Sequence, residues 1–230
     1  MHDAPLHIDL REPAHVGIVI MRPHPGRQRG VLLLNVAETE ARIRFLPGYL
    51  SVSFFVDREG KAVAEYVRWR SAKHLAAAFA QPAFHEHLPV VATMEEHPTI
   101  AFGTPAEILT AGGRTEFELT ADNYAMSIIQ CAPQALGETQ ASLTQWYRGL
   151  VGENIDAVAI HVDTEKAQIA VLVAGSLADV PAPQLQSSKA SVIAHIGALR
   201  LYSSVTAGSD PALALRYAMA VSPGAHPGEQ

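Results

Sequence analysis

Two stretches of this chain carry one pattern, and that repetition limits the fold more than any other feature. In the first, Leu50, Val52, Phe54 and Val56 recur at every second position, which sets one apolar face on a β-strand. Asp57-Arg58-Glu59-Gly60 follows as a hairpin turn, and Ala62 to Trp69 is the return strand. In the second, Ile155 to Val162 and Ala167 to Ala174 flank the turn Asp163-Thr164-Glu165-Lys166. Val56-Asp57 with a following Lys61 overlays on Val162-Asp163 with a following Lys166. The chain is thus expected to be a divergent internal duplication.

The flanking segments agree. Residues 1–13 are polar and Pro-containing, and are expected to form a loose arm. A strand is predicted over Ala14 to Met21. A helix then runs from the turn-rich 22–30 segment to about Phe45, with Leu34, Ala37, Ala41 and Phe45 as its apolar stripe. Pro47-Gly48 stops it. After the first hairpin, Ser71 is a plausible N-cap for a helix over Ala72 to Ala80. Pro82 suits the first turn of another helix, Pro82 to Leu88. A last strand falls within Thr99 to Leu109. The order strand, helix, strand, strand, helix, strand is that of a ferredoxin-like α+β unit. Residues 111–114 form a linker, and a similar order follows. A strand within Phe117 to Ile129 is broken near Asp122-Asn123. A helix over Glu138 to Leu150 carries Leu143, Tyr147 and Leu150 on one side. After the second hairpin, Ser187 or Ser188 caps a helix to Leu199, followed by a strand over Arg200 to Thr206 and a helix over Pro211 to Met219. The tail beyond Pro223 is expected to be disordered. The expected domains are 1–110 and 115–222.

Composition removes several classes of function. The 230 residues are 48% hydrophobic and 17% charged, enough apolar material for a real core. The net charge is −6 and Lys/Arg do not cluster, which argues against nucleic acid or an anionic membrane as partner. The single cysteine, Cys131, allows no internal disulfide and no cysteine-based zinc site, and suits a small core residue. The N-terminus lacks a basic segment followed by an apolar one, and runs such as Val31 to Leu34 are too short to span a bilayer. A cytoplasmic protein is expected. Dinucleotide, P-loop, nucleophile-elbow and zincin motifs are missing from the sequence.

The stretch from Phe45 to Val91 resembles the antibiotic biosynthesis monooxygenase family. Pro47-Gly48-Tyr49 matches that family's turn into its second strand. Tyr66 and Trp69 match its Asn-Tyr-x-x-Trp motif, Ser71 the cap that follows, and Pro82-Ala83-Phe84 its Pro-x-Phe segment. The resemblance covers about 100 residues; the second half agrees only in element order. It implies an α+β barrel, in which two ferredoxin-like sheets close on each other, here within one tandem chain, as a monomer or homodimer. It also implies oxidation of an aromatic polyketide by molecular oxygen without a bound cofactor, with reduced flavin as an alternative cosubstrate. One departure is chemical. The family's Asn is Glu65 here, so a group that donates a hydrogen bond is replaced by one that, when ionised, only accepts.

Alternation along the third strand sets Val63, Glu65, Val67 and Trp69 on one face and Ala64, Tyr66 and Arg68 on the other. A Glu between two valines is either the outer side of an edge strand, the partner of an arginine, or a buried base whose raised pKa suits proton abstraction near neutral pH. Trp69 either packs in the core or stacks on a planar substrate. Tyr66 and Arg68 suit an interface or the surface. His85 is a candidate proton shuttle at a cavity mouth; His85 and His87 point apart on a helix and lack a third ligand, so no metal site is expected. His74, His161 and His195 read as structural or solvated. The expected catalytic set is Glu65, Trp69 and His85, and the expected substrate wall is Trp69, Phe54, Val67, Phe79 and Phe84. In the second half the positions matching Glu65 and Trp69 fall at Ala170 or Val171 and at Ala174 or Gly175, which can neither take a proton nor stack. The first expectation is therefore an oxygenase acting on a phenol, hydroquinone or anthrone, with one site in the N-terminal half. The competing readings are a non-catalytic binding or assembly protein and a haem-degrading monooxygenase using His85 or His87.

Overall fold

The computed structural model describes residues 7–11, 14–121, 123–176, 180–185 and 187–208. The first half runs β1 (His7–Asp9), β2 (His15–Met21), α1 (Gln28–Ala41), a 3-10 turn at Ile43–Phe45, β3 (Tyr49–Asp57), β4 (Val63–Trp69), α2 (Ala72–Phe79), α3 (Pro82–His85), α4 (Leu88–Val91) and β5 (Thr99–Thr110). The second runs β6 (Glu116–Glu118), β7 (Asn123–Cys131), a 3-10 turn at Pro133–Ala135, α5 (Leu136–Arg148), β8 (Ile155–Asp163), β9 (Gln168–Gly175) and β10 (Ala190–Thr206).

The sheet order shows the duplication. Within the first half the strands lie β5-β2-β4-β3, and within the second β10-β7-β9-β8, the same ferredoxin-like arrangement, antiparallel throughout. Each sheet then joins the other at both edges: β5 pairs β8 and β10 pairs β3, which closes an eight-stranded barrel. Closure leaves neither sheet an open edge, which is the physical reason for the tandem arrangement.

Side chains alternate between two environments. Ile18, Phe55, Tyr66, Tyr124, Met126 and Leu172 fill the barrel interior. There the Tyr66 hydroxyl and His161 Nε2 are hydrogen-bonded at 2.9 Å, joining the halves, and burial pulls the imidazole pKa down to about 4, so it is neutral. Outside the barrel, each half packs its helices over the opposite face of its own sheet.

The two hairpins keep register. Val56 opposes Val63 and Val162 opposes Ile169, so Glu65 overlays on Val171 and Trp69 on Gly175. Both turns are held by their aspartate. Asp57 Oδ1 accepts from the backbone N–H groups of Lys61 and Ala62 at 2.8 Å, and Asp163 Oδ1 from those of Glu165 and Lys166 at 2.9 and 3.0 Å.

Several expectations are corrected. The N-terminal arm is not loose over its whole length: β1 pairs with β6, and Ile8 and Phe117 pack against the barrel interior. The inner face of α1 is Val31, Leu32, Asn35 and Thr39, while Ala37 and Ala41 are exposed. The single helix over Pro82 to Leu88 is two short ones broken at Glu86-His87. The helix expected from Ser187 or Ser188 to Leu199 is the first part of β10, so the second unit has no described counterpart of α2. Val180 and Leu185 cover that part of the sheet instead. The helix over Pro211 to Met219 and the tail beyond Pro223 lie outside the described residues.

Candidate active site

The N-terminal half encloses a cavity of about 210 Å³ between its sheet and helices. Its floor is sheet: Val19, Glu65, Val67, Trp69, Ile100 and Phe102. Its roof comes from α1, through Asn35 and Thr39, and from the α2–α4 region, through Leu75, Phe79, Phe84, His87 and Val91. Glu95 and Pro98 close one side. The wall is apolar except for a few polar groups, the usual make-up of a small-molecule site.

Alternation in β4 delivers Glu65, Val67 and Trp69 to the floor, while Tyr66 and Arg68 turn to the barrel side. The Arg68 guanidinium donates to the His7 carbonyl at 2.8 Å, and Tyr66 and Arg68 are both buried rather than on the surface. Trp69 is almost fully buried, edge-on to Tyr49 at 5.4 Å and tilted against Phe84 at 6.4 Å. Phe79 meets Phe84 at 4.7 Å and Phe102 at 6.0 Å, so one aromatic wall runs from β4 to β5.

Glu65 sits deep in protein and opens onto the cavity. Burial first, and the neighbouring Glu95 carboxylate second, push its carboxyl up to about 8. Burial likewise raises Glu95 to about 7. The Tyr49 phenol, which donates to the Val205 carbonyl at 2.9 Å, is raised well above its ordinary value by burial and then by Glu65. His87 is held below the usual range, chiefly by burial, and its Nδ1 is buried without a hydrogen-bond partner.

Of the residues singled out in the sequence, Glu65, Trp69, Val67, Phe79 and Phe84 meet in this cavity. His85 and Phe54 do not line it. His85 bonds through Nε2 to the Phe79 carbonyl at the protein surface, and Phe54 is fully buried in the hydrophobic cluster beside the cavity. The break between α3 and α4 turns His87 inward instead. Glu95 is a titratable wall residue that the sequence did not single out, and His87, weighed there only as a metal or haem ligand, is a second one that the expected catalytic set left out. A carboxylate and an imidazole in an irregular segment have no periodicity to mark them as inward.

At the overlaid position in the second half, Val171 is fully buried among Ile129, Leu143, Tyr147 and Ile160. Among the described residues one cluster has metal-ligand geometry, His7, Asp9 and Glu116. It is already occupied by the Arg11 guanidinium, which pairs with Asp9 at 2.8 Å and Glu116 at 2.5 Å. Among the described helices, none is long and apolar enough to cross a membrane.

The fold and cavity define a tandem ferredoxin-like barrel with one acidic, aromatic-walled pocket. No family model matches the chain. It is 36% identical over 63 residues to tetracenomycin-F1 monooxygenase of Streptomyces glaucescens, a match that spans 27% of this chain and 56% of that enzyme. In structure it is similar to an anthrone oxidase-like protein, at a TM-score of 0.71 and 14% identity over 89% of this chain and 98% of the other. It is also similar to a provisionally assigned monooxygenase of Fusobacterium nucleatum, at a TM-score of 0.54 and 10% identity over 85% and 95% of the two chains. The chain thus spans about half the length of the curated relative that it matches, and the structural likeness shows the tandem barrel fold.

Proposed function

We propose that the protein is an oxygenase of aromatic polyketide biosynthesis that binds a phenol, hydroquinone or anthrone in the N-terminal cavity and oxidises it with molecular oxygen. The observation that carries this reading is Glu65, a carboxyl raised to about 8 on the apolar wall of the cavity that Trp69 also lines. A phenol ionises near pH 10 and an ordinary glutamate near 4.3, so a carboxyl at about 8 is far better matched to take a phenolic proton. The floor from Glu65 to Trp69 spans four strand positions, about 13 Å, comparable to a few fused rings. An apolar cavity of roughly 150 Å³ admits one benzene ring, and this one is larger.

Deprotonation leaves an electron-rich phenolate or carbanion that passes an electron to oxygen. For an anthrone, the ring methylene becomes a carbonyl with one oxygen atom from O2, and the two hydrogens leave with the other as water. The residues bind, orient and deprotonate; the oxygen chemistry needs no bound cofactor in this reading. The relatives' names support it: a tetracenomycin-F1 monooxygenase and an anthrone oxidase-like fold. The chemistry belongs to the first duplicated unit, and the second completes the barrel through β7–β10.

The test is oxygen uptake with anthrone and hydroquinone substrates. The parent protein accelerates uptake, and Glu65→Gln lowers turnover by roughly 10²–10⁴-fold with little change in binding. Near-parental turnover in Glu65→Gln removes the base role. Silence of the parent towards every hydroxyaromatic tried, with the cavity still binding them, favours a carrier or assembly protein.

A further inference from the structure

The cavity holds a second carboxyl for which deprotonation by Glu65 alone gives no task. Glu95 is only 8% exposed, lines the same wall as Glu65, and its Oε2 is buried without a hydrogen-bond partner. Its backbone is fixed. Pro23 and Glu95 form a β-bridge, the Met94 carbonyl accepts from His24 N–H at 2.8 Å, and Glu96 N–H donates to the Arg22 carbonyl at 3.0 Å. The chain thus holds a bare acceptor in place inside an apolar chamber, where an unmet polar atom costs stability. A purely structural residue at this position would be apolar or would have a donor.

We propose that Glu95 is a second catalytic residue, which forms with Glu65 a carboxyl pair that carries one proton and which accepts a hydrogen bond from a substrate hydroxyl. The proposal rests on the cavity being the hydroxyaromatic site and extends that reading. Two like charges in a low-dielectric chamber ionise one after the other. In the singly protonated pair, the ionised member takes the proton from the substrate oxygen, on which the bonding electron pair remains. The neutral member donates a hydrogen bond to the resulting phenolate. The other titratable groups at hand are Tyr49 on β3, which is sensitive to Glu65, and His87, which lies in the field of Glu38, Arg42 and His85. Among the described residues neither Glu65 nor Glu95 has an ion-pair partner. The substrate is the missing donor.

Two readouts test this on the full chain. The infrared carbonyl band of protonated carboxyls, followed against pH in the parent, Glu65→Gln, Glu95→Gln and the double variant, needs no substrate. The expected result is a stepwise titration lost in the double variant, with the remaining midpoint lowered by about one pH unit in each single variant. A Glu65 midpoint that does not move in Glu95→Gln overturns the shared proton. With hydroquinone or anthrone as substrate, Glu95→Gln lowers kcat/KM by about 10²-fold; a value within twofold of the parent overturns the catalytic role. If the amide fails to fold, Glu95→Met, of similar length and apolar, takes its place in both measurements. Failure of the parent to oxidise any hydroxyaromatic would refute the oxygenase reading, and with it the catalytic role of Glu95, while the band titration still decides the pair.

Discussion

Glu65 makes the protein's stability depend on pH in a direction opposite to that of most carboxylates. Its folded pKa, about 8, lies above its unfolded value, so between roughly pH 4.5 and 8 the folded state binds the extra proton and stability falls as pH rises. Glu65→Gln cannot lose that proton. The variant should gain stability relative to the parent across that window, by up to about 1.4 kcal/mol per pH unit, and thermal melts at pH 5 and pH 8 check it. A difference in Tm that is the same at both pH values would mean that the carboxyl is solvated. Trp69 presents the other balance. Trp69→Ala should cost about 3–5 kcal/mol as well as binding, whereas Trp69→Phe keeps most of the packing and isolates the loss of ring area towards substrate. Both residues were legible in the sequence because β4 alternates without a bulge and has two paired neighbours that hold its phase. Glu95 was not, nor was the inward placement of His87 in preference to His85, because the segment between Pro82 and Pro98 is broken into two short helices and carries no period that marks inward positions.

At the scale of elements, α1 shows how a cavity hides itself from a sequence. Its inner face includes Asn35 and Thr39, both more than nine-tenths buried, where a core helix would carry apolar residues. The apolar stripe through Leu34, Ala37 and Ala41 suggested the wrong face, because polar residues lining an enclosed space look the same in sequence as polar residues in water. Asn35 gives up packing to keep the chamber open, its amide donating only to Met21 Sδ at 3.3 Å. Asn35→Leu should therefore leave the melting temperature unchanged or raise it, while the KM for an aromatic substrate rises about tenfold. A lower Tm with an unchanged KM would mean that the helix face is structural. The misread stretch before Leu199 has another cause. Val192, His195, Ile196 and Leu199 recur at helical spacing, yet the segment is strand. Register shifts between Val192 and Ala194 and between Ile196 and Leu199 break the period of two, and the barrel's need for a closing strand overrides local preference. The Gly48 turn was read correctly: its φ is +82°, and a Cβ there would fall 2.2 Å from the His74 ring. Gly48→Ala should cost about 1–3 kcal/mol in chemical denaturation.

On the scale of the whole molecule, two weakly similar halves are made interdependent by their seams. β5 meets β8 so closely at Gly103 that an added Cβ would lie 2.9 Å from the Val162 backbone, and the Ser53 and Ser204 hydroxyls meet at 2.8 Å across the other seam. Gly103→Ala should destabilise both halves together, as one cooperative transition at lower denaturant concentration; two separate transitions would mean that each half holds itself up. The duplication was legible because the hairpins keep their turn length and aspartate. The contrast between the halves was legible only in part: the sequence left Ala170 or Val171 opposite Glu65 and Ala174 or Gly175 opposite Trp69, and only the strand register selects Val171 and Gly175 and shows Val171 packed into a filled core. The most direct test of the central claim, that chemistry belongs to the N-terminal cavity alone, is a crystal structure of the protein with an anthraquinone bound. The account predicts one ligand, its rings along the wall formed by Trp69, Phe84 and Phe102 and an oxygen against Glu65 or Glu95. A ligand found between α5 and its sheet, or inside the barrel, would contradict it.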